Sequence, residues 1–329
     1  MRALTIIAPG GAEPLTVREV ADPEPGPGEV LVRVHAAGLN RADLLQSAGH
    51  YPAPAGAPAD IPGLEFAGEV ERLGAGVREW ARGDRVFGLV AGGAQAELLV
   101  THARTLARVP ERLGWPDAAA VPEAFVTAYD ALVDQAGLRP GERVLIHAVA
   151  SGVGLAAVQL ARAMGALPFG TSRSAHKLEA ATALGMVDGV ALADGLSPMA
   201  GAVERWTEGR GMDVVLDLVG GDYLPASLRV LATCGRLMLV GTLAGRSATV
   251  DLSTLLGRRV TLRGTVLRAR PLEEKILAAR HFAAHVVPLL DAGTVRPVLD
   301  ATFPLDAAAV AYARLASNQT VGKVVLTFE

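Results

Sequence analysis

The stretch Val144-Leu145-Ile146-His147-Ala148-Val149-Ala150-Ser151-Gly152-Val153-Gly154 decides the fold. An apolar run enters a glycine-containing turn, and the turn opens a helix that runs to Met164. Backbone N–H groups at such a helix start point outward along a favourable dipole, so a pyrophosphate fits there. Gly152 lets phosphates approach, and Gly154 lets helix and strand pack closely. The usual G-x-G-x-x-G spacing has Val149, Ser151 and Gly154 in its three places, so the fingerprint is degenerate and needs its context. A serine on a strand–turn–helix corner also describes a hydrolase nucleophile elbow. That motif needs small residues two before and two after the serine, where this chain has Val149 and Val153. The uncharged stretch Val144–Ala161 approaches the length of a membrane span, but Ser151, Gly152, Gly154 and Gln159 interrupt it.

Downstream, strands and helices alternate. Strands are expected over Arg143–Ala148, Leu167–Gly170, near Val190, and over Val214–Leu218, Arg236–Val240 and Val260–Gly264. Helices are expected over Ala175–Leu184, Pro198–Trp206 and Leu224–Leu231. Apolar strands alternating with helices mean a parallel sheet covered on both faces. Upstream, the pattern is of short strands and turns. Glu29–His35 alternates after the turn cluster Pro23–Gly28, and Phe66–Val70 and Arg85–Val90 are further strands. Tyr51–Pro62 carries four prolines and reads as a loop. The first third is therefore a partly open β-barrel. Helices over Glu123–Ala136 and Leu272–Leu290 flank the sheet region, and Gly322–Phe328 is a closing strand.

Composition agrees with two globular domains. The chain has 329 residues, half of them hydrophobic, and 31 basic against 34 acidic side chains, a net charge of −3. That balance gives no general attraction to nucleic acid or to an anionic membrane. One cysteine, Cys234, allows no internal disulfide and fits a reducing, cytoplasmic setting, and the apolar run at the start is too short for a signal peptide. Lysine occurs three times against 28 arginines.

The end of the second strand bears on the cofactor. NAD enzymes place an acid about 20 residues after the glycines to hold the ribose 2′-hydroxyl. Here the chain reads Phe169-Gly170-Thr171-Ser172-Arg173-Ser174-Ala175-His176-Lys177, with no acid and with Arg173 and Lys177 present. Such a set attracts a 2′-phosphate, which favours NADPH.

Several further stretches carry a resemblance. They are Gly38-Leu39-Asn40-Arg41-Ala42-Asp43-Leu44-Leu45-Gln46, Tyr51-Pro52, Pro62-Gly63-Leu64-Glu65, Gly83-Asp84-Arg85-Val86, Pro122-Glu123-Ala124-Phe125, Leu145–Ala148 with Ser151–Gly154, Leu216-Asp217 with Gly220-Gly221, and Gly322-Lys323-Val324-Val325-Leu326. In family order over nearly the whole chain, they resemble the zinc-independent, zeta-crystallin-like quinone oxidoreductases of the medium-chain dehydrogenase/reductase superfamily. The subfamily of the stress-inducible animal quinone oxidoreductase is the most similar. The resemblance implies an α/β chain with a GroES-like β-barrel catalytic domain (1–122), a doubly wound parallel-sheet Rossmann domain for NADPH (123–268) and a C-terminal return to the catalytic domain (269–329). It also implies a homodimer joined through the Rossmann sheets. By the same resemblance, Asn40 and Tyr51 lie beside the nicotinamide: Asn40 can bond a carbonyl or the carboxamide, and Tyr51 can donate to an oxygen gaining charge. Thr127, Ser151, Gly152, Val153, Ser172, Arg173, Lys177, Gly241 and Thr242 complete the expected cofactor set with Asn40.

The superfamily's zinc branch departs on residues. Its structural zinc needs four cysteines. Its catalytic zinc uses a cysteine where Asn40 stands and a histidine where Leu64 stands. His281 and His285 have ligand spacing on a helix, but no acidic or thiol partner is evident, and they read as a solvated face. The expected activity is zinc-free reduction of quinones by NADPH. The alternatives are reduction of α,β-unsaturated carbonyls and a non-enzymatic, cofactor-bound structural or RNA-binding role; the net charge of −3 argues against RNA.

Overall fold

Inward apolar and outward polar side chains build the first strands, as the period of two requires. In the computed structural model, which describes residues 1–11 and 14–328, β1 (Arg2–Ile6) and β2 (Leu15–Glu19) form an antiparallel hairpin. β3 (Glu29–Leu39) buries Val30, Val32 and Val34 and turns Arg33 outward. α1 (Arg41–Ser47) follows it at once. Then come β4 (Glu65–Leu73), β5 (Arg85–Leu89), β6 (Leu98–His102), β7 (Leu106–Arg108), α2 (Trp115–Ala119) and α3 (Pro122–Tyr129), which continues to Gln135 in wider π turns.

The alternating region supplies β8 (Arg143–Ile146), α4 (Gly152–Ala163), β9 (Leu167–Ser172), α5 (Ala175–Thr182), β10 (Asp188–Ala191), α6 (Ser197–Thr207), β11 (Met212–Asp217), α7 (Tyr223–Val230), β12 (Leu231–Leu239), α8 (Leu252–Arg258) and β13 (Thr261–Gly264). The chain ends with α9 (Leu272–His281), a π segment to Val286, α10 (Val287–Asp291), β14 (Leu299–Pro304), α11 (Ala308–Ala316) and β15 (Lys323–Thr327).

Two units form. One is Met1–Val126 with Leu267–Glu329, and the other is Thr127–Val266. The first holds a sheet ordered β14-β15-β3-β4-β5-β7, with β6 also on β3. Its core centres on Val30, Val32, Leu39, Phe66, Val86, Tyr312 and Leu326. This is the expected GroES-like barrel. The second holds a fully parallel sheet ordered β10-β9-β8-β11-β12-β13, with Leu145, Met199, Met212, Val215 and Leu237 at its centre. That order is the doubly wound dinucleotide topology, whose chain direction reverses between β8 and β11.

The structure adds elements that the sequence pattern does not separate from loops: α1, α2, α8, α11, β1, β2, β6, β7 and β14. The helices among them run five to nine residues and β7 three, shorter than the windows over which a period can be read. β8 also ends two residues earlier than expected, because Ala148 adopts φ +48° and leaves the extended region.

Candidate active site

Register places the first group of side chains. β15 runs antiparallel to β3 with Val324 opposite Leu39, which brings Lys323 beside Asn40. β4 starts at Glu65, opposite Gly38. The Lys323 ammonium donates to the Leu39 carbonyl at 2.8 Å and to Asn40 Oδ1 at 2.5 Å, and pairs with Glu65 Oε1 at 2.5 Å. Asn40 Nδ2 donates to the same Glu65 oxygen at 2.9 Å. Glu65 Oε2 accepts from the Glu123 backbone N–H at 2.7 Å. A Cβ on Gly38 would lie 2.2 Å from Glu65 Oε1, so only glycine leaves room for this carboxylate.

Asp43 lies beneath. It accepts from the Asn40 N–H at 2.8 Å and the Gly63 N–H at 3.1 Å. Burial, opposed by those bonds and by Lys323, pushes its carboxyl up to about 6.

Tyr51 stands on the proline-rich loop, where Arg268 grips it. The Arg268 guanidinium sits 4.9 Å from the centre of the Tyr51 ring and donates to the Tyr51 carbonyl at 3.3 Å. It also donates to Ala91 O at 2.8 Å and Gln46 Oε1 at 2.5 Å, and is 7% exposed. A guanidinium fixed by three oxygens holds the aromatic face in one orientation. Burial raises the Tyr51 phenol above its ordinary value, while the Arg268 charge pulls it down. A cavity of about 40 Å³ opens beside these groups, walled by Leu64, Phe87, Val126 and Phe282 and lined by Glu123, Arg268 and Lys275.

In the other unit, the expected cofactor residues apart from Thr127 lie at or after the carboxyl ends of the parallel strands. Ser151 caps α4 by accepting from the Gly154 N–H at 3.1 Å, so its own proton stays available to an acceptor. Gly152 and Val153 form the partly exposed first turn of α4. A Cβ on Gly154 would meet Val149 O at 2.5 Å, which is the close helix–strand approach expected of the third fingerprint place. The left-handed turn of the first place falls on Ala148, one residue before the position that spacing assigns. Ser172 ends β9, Arg173 is exposed after it, and Lys177 lies in the first turn of α5. Gly241 and Thr242 follow β12, and Gly241 has no room for a Cβ beneath Leu218 O at 2.5 Å. Thr127 is a buried residue of α3.

Between these strands sits a neutral cluster. His147 is fully buried, with Nδ1 2.9 Å from Thr171 Oγ1 and Nε2 2.7 Å from Ser227 Oγ. Ser227 donates to the Tyr223 carbonyl, so His147 Nε2 carries the proton and Nδ1 accepts from Thr171. Burial pushes His147 down to about 4. Asp217 accepts from the Val219 and Gly220 N–H groups through Oδ1, and its buried Oδ2 has no partner among the described residues.

The donor sets answer the cofactor and metal questions. A dinucleotide fits: the open α4 start, the reversal between β8 and β11, the glycines against backbone and the orphaned Asp217 Oδ2 form a polar, close-approach strand-end site. The acid-free Ser172, Arg173 and Lys177 set suits a 2′-phosphate. Zinc does not fit. Leu64 offers no donor, and Asn40 and Glu65 are engaged by the Lys323 ammonium, which supplies the cation there. Among the described residues, no group of three histidines, cysteines or acids could hold a metal. His281 and His285 face each other at 6.2 Å on the surface.

The sequence reading singles out Asp43, Glu65, Glu123 and Lys323 within motifs but gives them no role, and it passes over Arg268. No sequence signal marks Arg268; its partners lie 177 to 222 residues away.

Comparison with known proteins agrees with both halves. Residues 26–111 match the alcohol dehydrogenase GroES-like domain, and residues 190–326 match a domain described as zinc-binding dehydrogenase. The quinone oxidoreductase of Pseudomonas aeruginosa is 35% identical over 328 residues, 99% of each chain. The pikromycin polyketide synthase component PikAII of Streptomyces venezuelae is 39% identical over 97% of this chain. The chain spans only 5–13% of the length of three such synthases. Among solved structures, a mycobacterial protein complexed with NADPH superposes with a TM-score of 0.89 at 29% identity, covering all of both chains. The CurK enoyl reductase superposes with a TM-score of 0.86 at 28% identity over 100% of this chain and 99% of its own. The chain belongs to the quinone oxidoreductase-like proteins of the medium-chain dehydrogenase/reductase superfamily.

Proposed function

We propose that this protein is a zinc-free, NADPH-dependent oxidoreductase that passes reducing equivalents to quinones. The observation that carries the reading is the pairing of a cation-filled Asn40–Glu65 site with an arginine-clamped Tyr51. Bound NADPH supplies the hydride. Ser172, Arg173 and Lys177 hold its 2′-phosphate, while Ser151, Gly152 and Val153 hold the pyrophosphate. Thr127, Gly241 and Thr242 serve the nicotinamide end. Asn40 positions a carbonyl or carboxamide, and Tyr51 donates a proton to the acceptor oxygen as charge develops there. Residues 1–122 with 269–329 thus form the catalytic part, and 123–268 the cofactor part.

A second acceptor class has a specific observation behind it. The CurK neighbour is an enoyl reductase, and conjugated C=C reduction needs the same hydride and proton. No helix of the described chain is long and apolar enough to cross a membrane, and with its single cysteine the chain suits the cytoplasm. A homodimer is proposed through β13, an edge strand whose four residues, Leu262 among them, are all exposed, together with the exposed Leu252 and Leu256 of α8.

The test is NADPH oxidation over a panel of quinones and enones, run beside an RNA gel shift at defined salt. Turnover with a quinone is expected. No oxidation with any acceptor, together with RNA binding, would overturn the reading.

A further inference from the structure

Lys323 and Glu65 meet Asn40 from opposite ends of its side-chain amide. The Lys323 ammonium donates to Oδ1 at 2.5 Å, and Nδ2 donates to Glu65 Oε1 at 2.9 Å. The two charged groups also pair with each other, with side chains 6% and 0% exposed, so the three residues close a triangle. An ammonium has only donors and a carboxylate only acceptors. The amide therefore fits one way round. Turned over, it would set its N–H groups against the ammonium and its oxygen against the carboxylate, and two charge-assisted hydrogen bonds would be lost away from water. Neither partner is free to follow a turned amide. Lys323 is anchored on Leu39 O at 2.8 Å, and Glu65 Oε2 accepts from the Glu123 N–H at 2.7 Å. The main chain beneath the amide is fixed as well, because the Asn40 N–H donates to Asp43 at 2.8 Å.

What this leaves on the partly exposed Asn40 is a donor. The Lys323 ammonium occupies Oδ1. One Nδ2 proton goes to Glu65, and the other has, among the described residues, only Gly38 O at 3.5 Å, the limit of a hydrogen bond.

We propose that Lys323 and Glu65 are positioning residues that lock the Asn40 amide as a hydrogen-bond donor, so that the group it receives is a carbonyl oxygen and not an N–H. The inference rests on the reading of Asn40 as a residue that faces the ligands. The oxygen belongs to the acceptor or to the nicotinamide carboxamide. Lys323 thus has a task beyond neutralising Glu65: it decides which end of the amide is presented.

The chain has two asparagines, Asn40 and Asn318. Selective ¹⁵N labelling of asparagine therefore gives two side-chain amide signals, which Asn40→Ala assigns. In the parent, the Asn40 pair should exchange with water at least roughly tenfold more slowly than that of the exposed Asn318. NADP⁺ should move one Asn40 amide proton downfield if the carboxamide supplies the oxygen. A quinone added to that complex should do so if the acceptor supplies it. Glu65→Gln combined with Lys323→Met removes both charges together, a change that buried ion pairs tolerate. The new glutamine keeps its oxygen on the Glu123 N–H and so presents its NH₂ to Asn40. Asn40 should then turn over, and its pair should shift and lose its slow exchange. With NADPH and a quinone, this variant should lose roughly tenfold in kcat, about the worth of one hydrogen bond. In an Asn40→Ala background the same two changes should cost less than about twofold, because they act through the amide.

Equal losses in the two backgrounds would show a merely structural pair and overturn the proposal. Exchange in the parent as fast as at Asn318 overturns it whatever the substrate. A slowly exchanging pair that neither ligand moves downfield overturns the placement of Asn40 beside the ligands, and the donor assignment with it. If the combined variant does not fold, the parent's exchange and its two ligand shifts still decide.

Discussion

Two buried polar clusters, one in each unit, follow opposite plans. In Thr127–Val266, His147, Thr171 and Ser227 form a neutral chain in which each ring nitrogen and hydroxyl has a partner. In the other unit, Asp43, Glu65, Lys323 and Arg268 are buried as ionisable groups, and Glu65, Lys323 and Arg268 draw partners from distant elements. A neutral cluster costs little to bury once its hydrogen bonds are made, whereas a charged cluster is stable only while every charge keeps its counterpart. The neutral cluster sits among the strands of a cofactor fold. The charged one surrounds the residues to which we assign proton chemistry, where buried charge can shift a neighbour's proton affinity.

The largest effect should come from breaking the charged plan. Lys323→Met leaves Glu65 buried without its cation, and should cost roughly 3–5 kcal/mol in urea unfolding at pH 7. A loss under about 1 kcal/mol would mean that the pair is not a buried ion pair.

The two plans also predict opposite pH slopes. His147 is neutral in the fold at about 4 against 6.5 unfolded. Its contribution is therefore present above 6.5 and lost as pH falls toward 4, on the order of 3 kcal/mol. Glu123 has the reverse sign: raised from 4.5 to about 8, it favours the fold at low pH and loses that contribution as pH rises through this window. Unfolding of the parent, His147→Asn and Glu123→Gln from pH 4 to 9 checks both. His147→Asn should flatten the acid side and Glu123→Gln the alkaline side. The reverse assignment would contradict the comparison.

A third test bears on the cofactor unit. NADPH should bind at least about tenfold tighter than NADH, a difference of about 1.4 kcal/mol. Ser172→Asp with Lys177→Ala should erase the gap in a fluorescence titration. Equal affinities in the parent would remove the role given to Ser172, Arg173 and Lys177.

The smallest effect is at the turn. Ala148 holds φ +48°, which glycine adopts without penalty. Ala148→Gly should leave stability unchanged or raise it by up to about 1 kcal/mol, whereas Ser151→Ala should lower it by about that amount through loss of the α4 cap.

These differences explain what could be read from sequence. The parallel sheet is legible because each βα unit is local: Val144–Gly154 shows its strand, turn and helix in eleven consecutive residues. Gly154 has its expected packing role because the reason, a Cβ against Val149 O, lies five residues away. Even there, the turn falls on Ala148, since spacing identifies a fingerprint but not which residue turns left-handed. The charged cluster is illegible for the opposite reason. Lys323 reaches Asn40 across 283 residues, and Arg268 reaches Gln46 across 222. Only the register of β15 on β3 and the return of the chain near Leu267 create those contacts. Sequence resemblance marks Asn40 and Tyr51, but not the groups that hold them.

The most direct measurement is quinone-dependent NADPH oxidation after exhaustive dialysis against a strong chelator, with elemental analysis of the same samples and Tyr51→Phe run in parallel. The account predicts an unchanged rate, no stoichiometric zinc, and a rate in Tyr51→Phe reduced by roughly 10²-fold. About one zinc per chain, lost together with activity, or a Tyr51→Phe variant as fast as the parent, would contradict it.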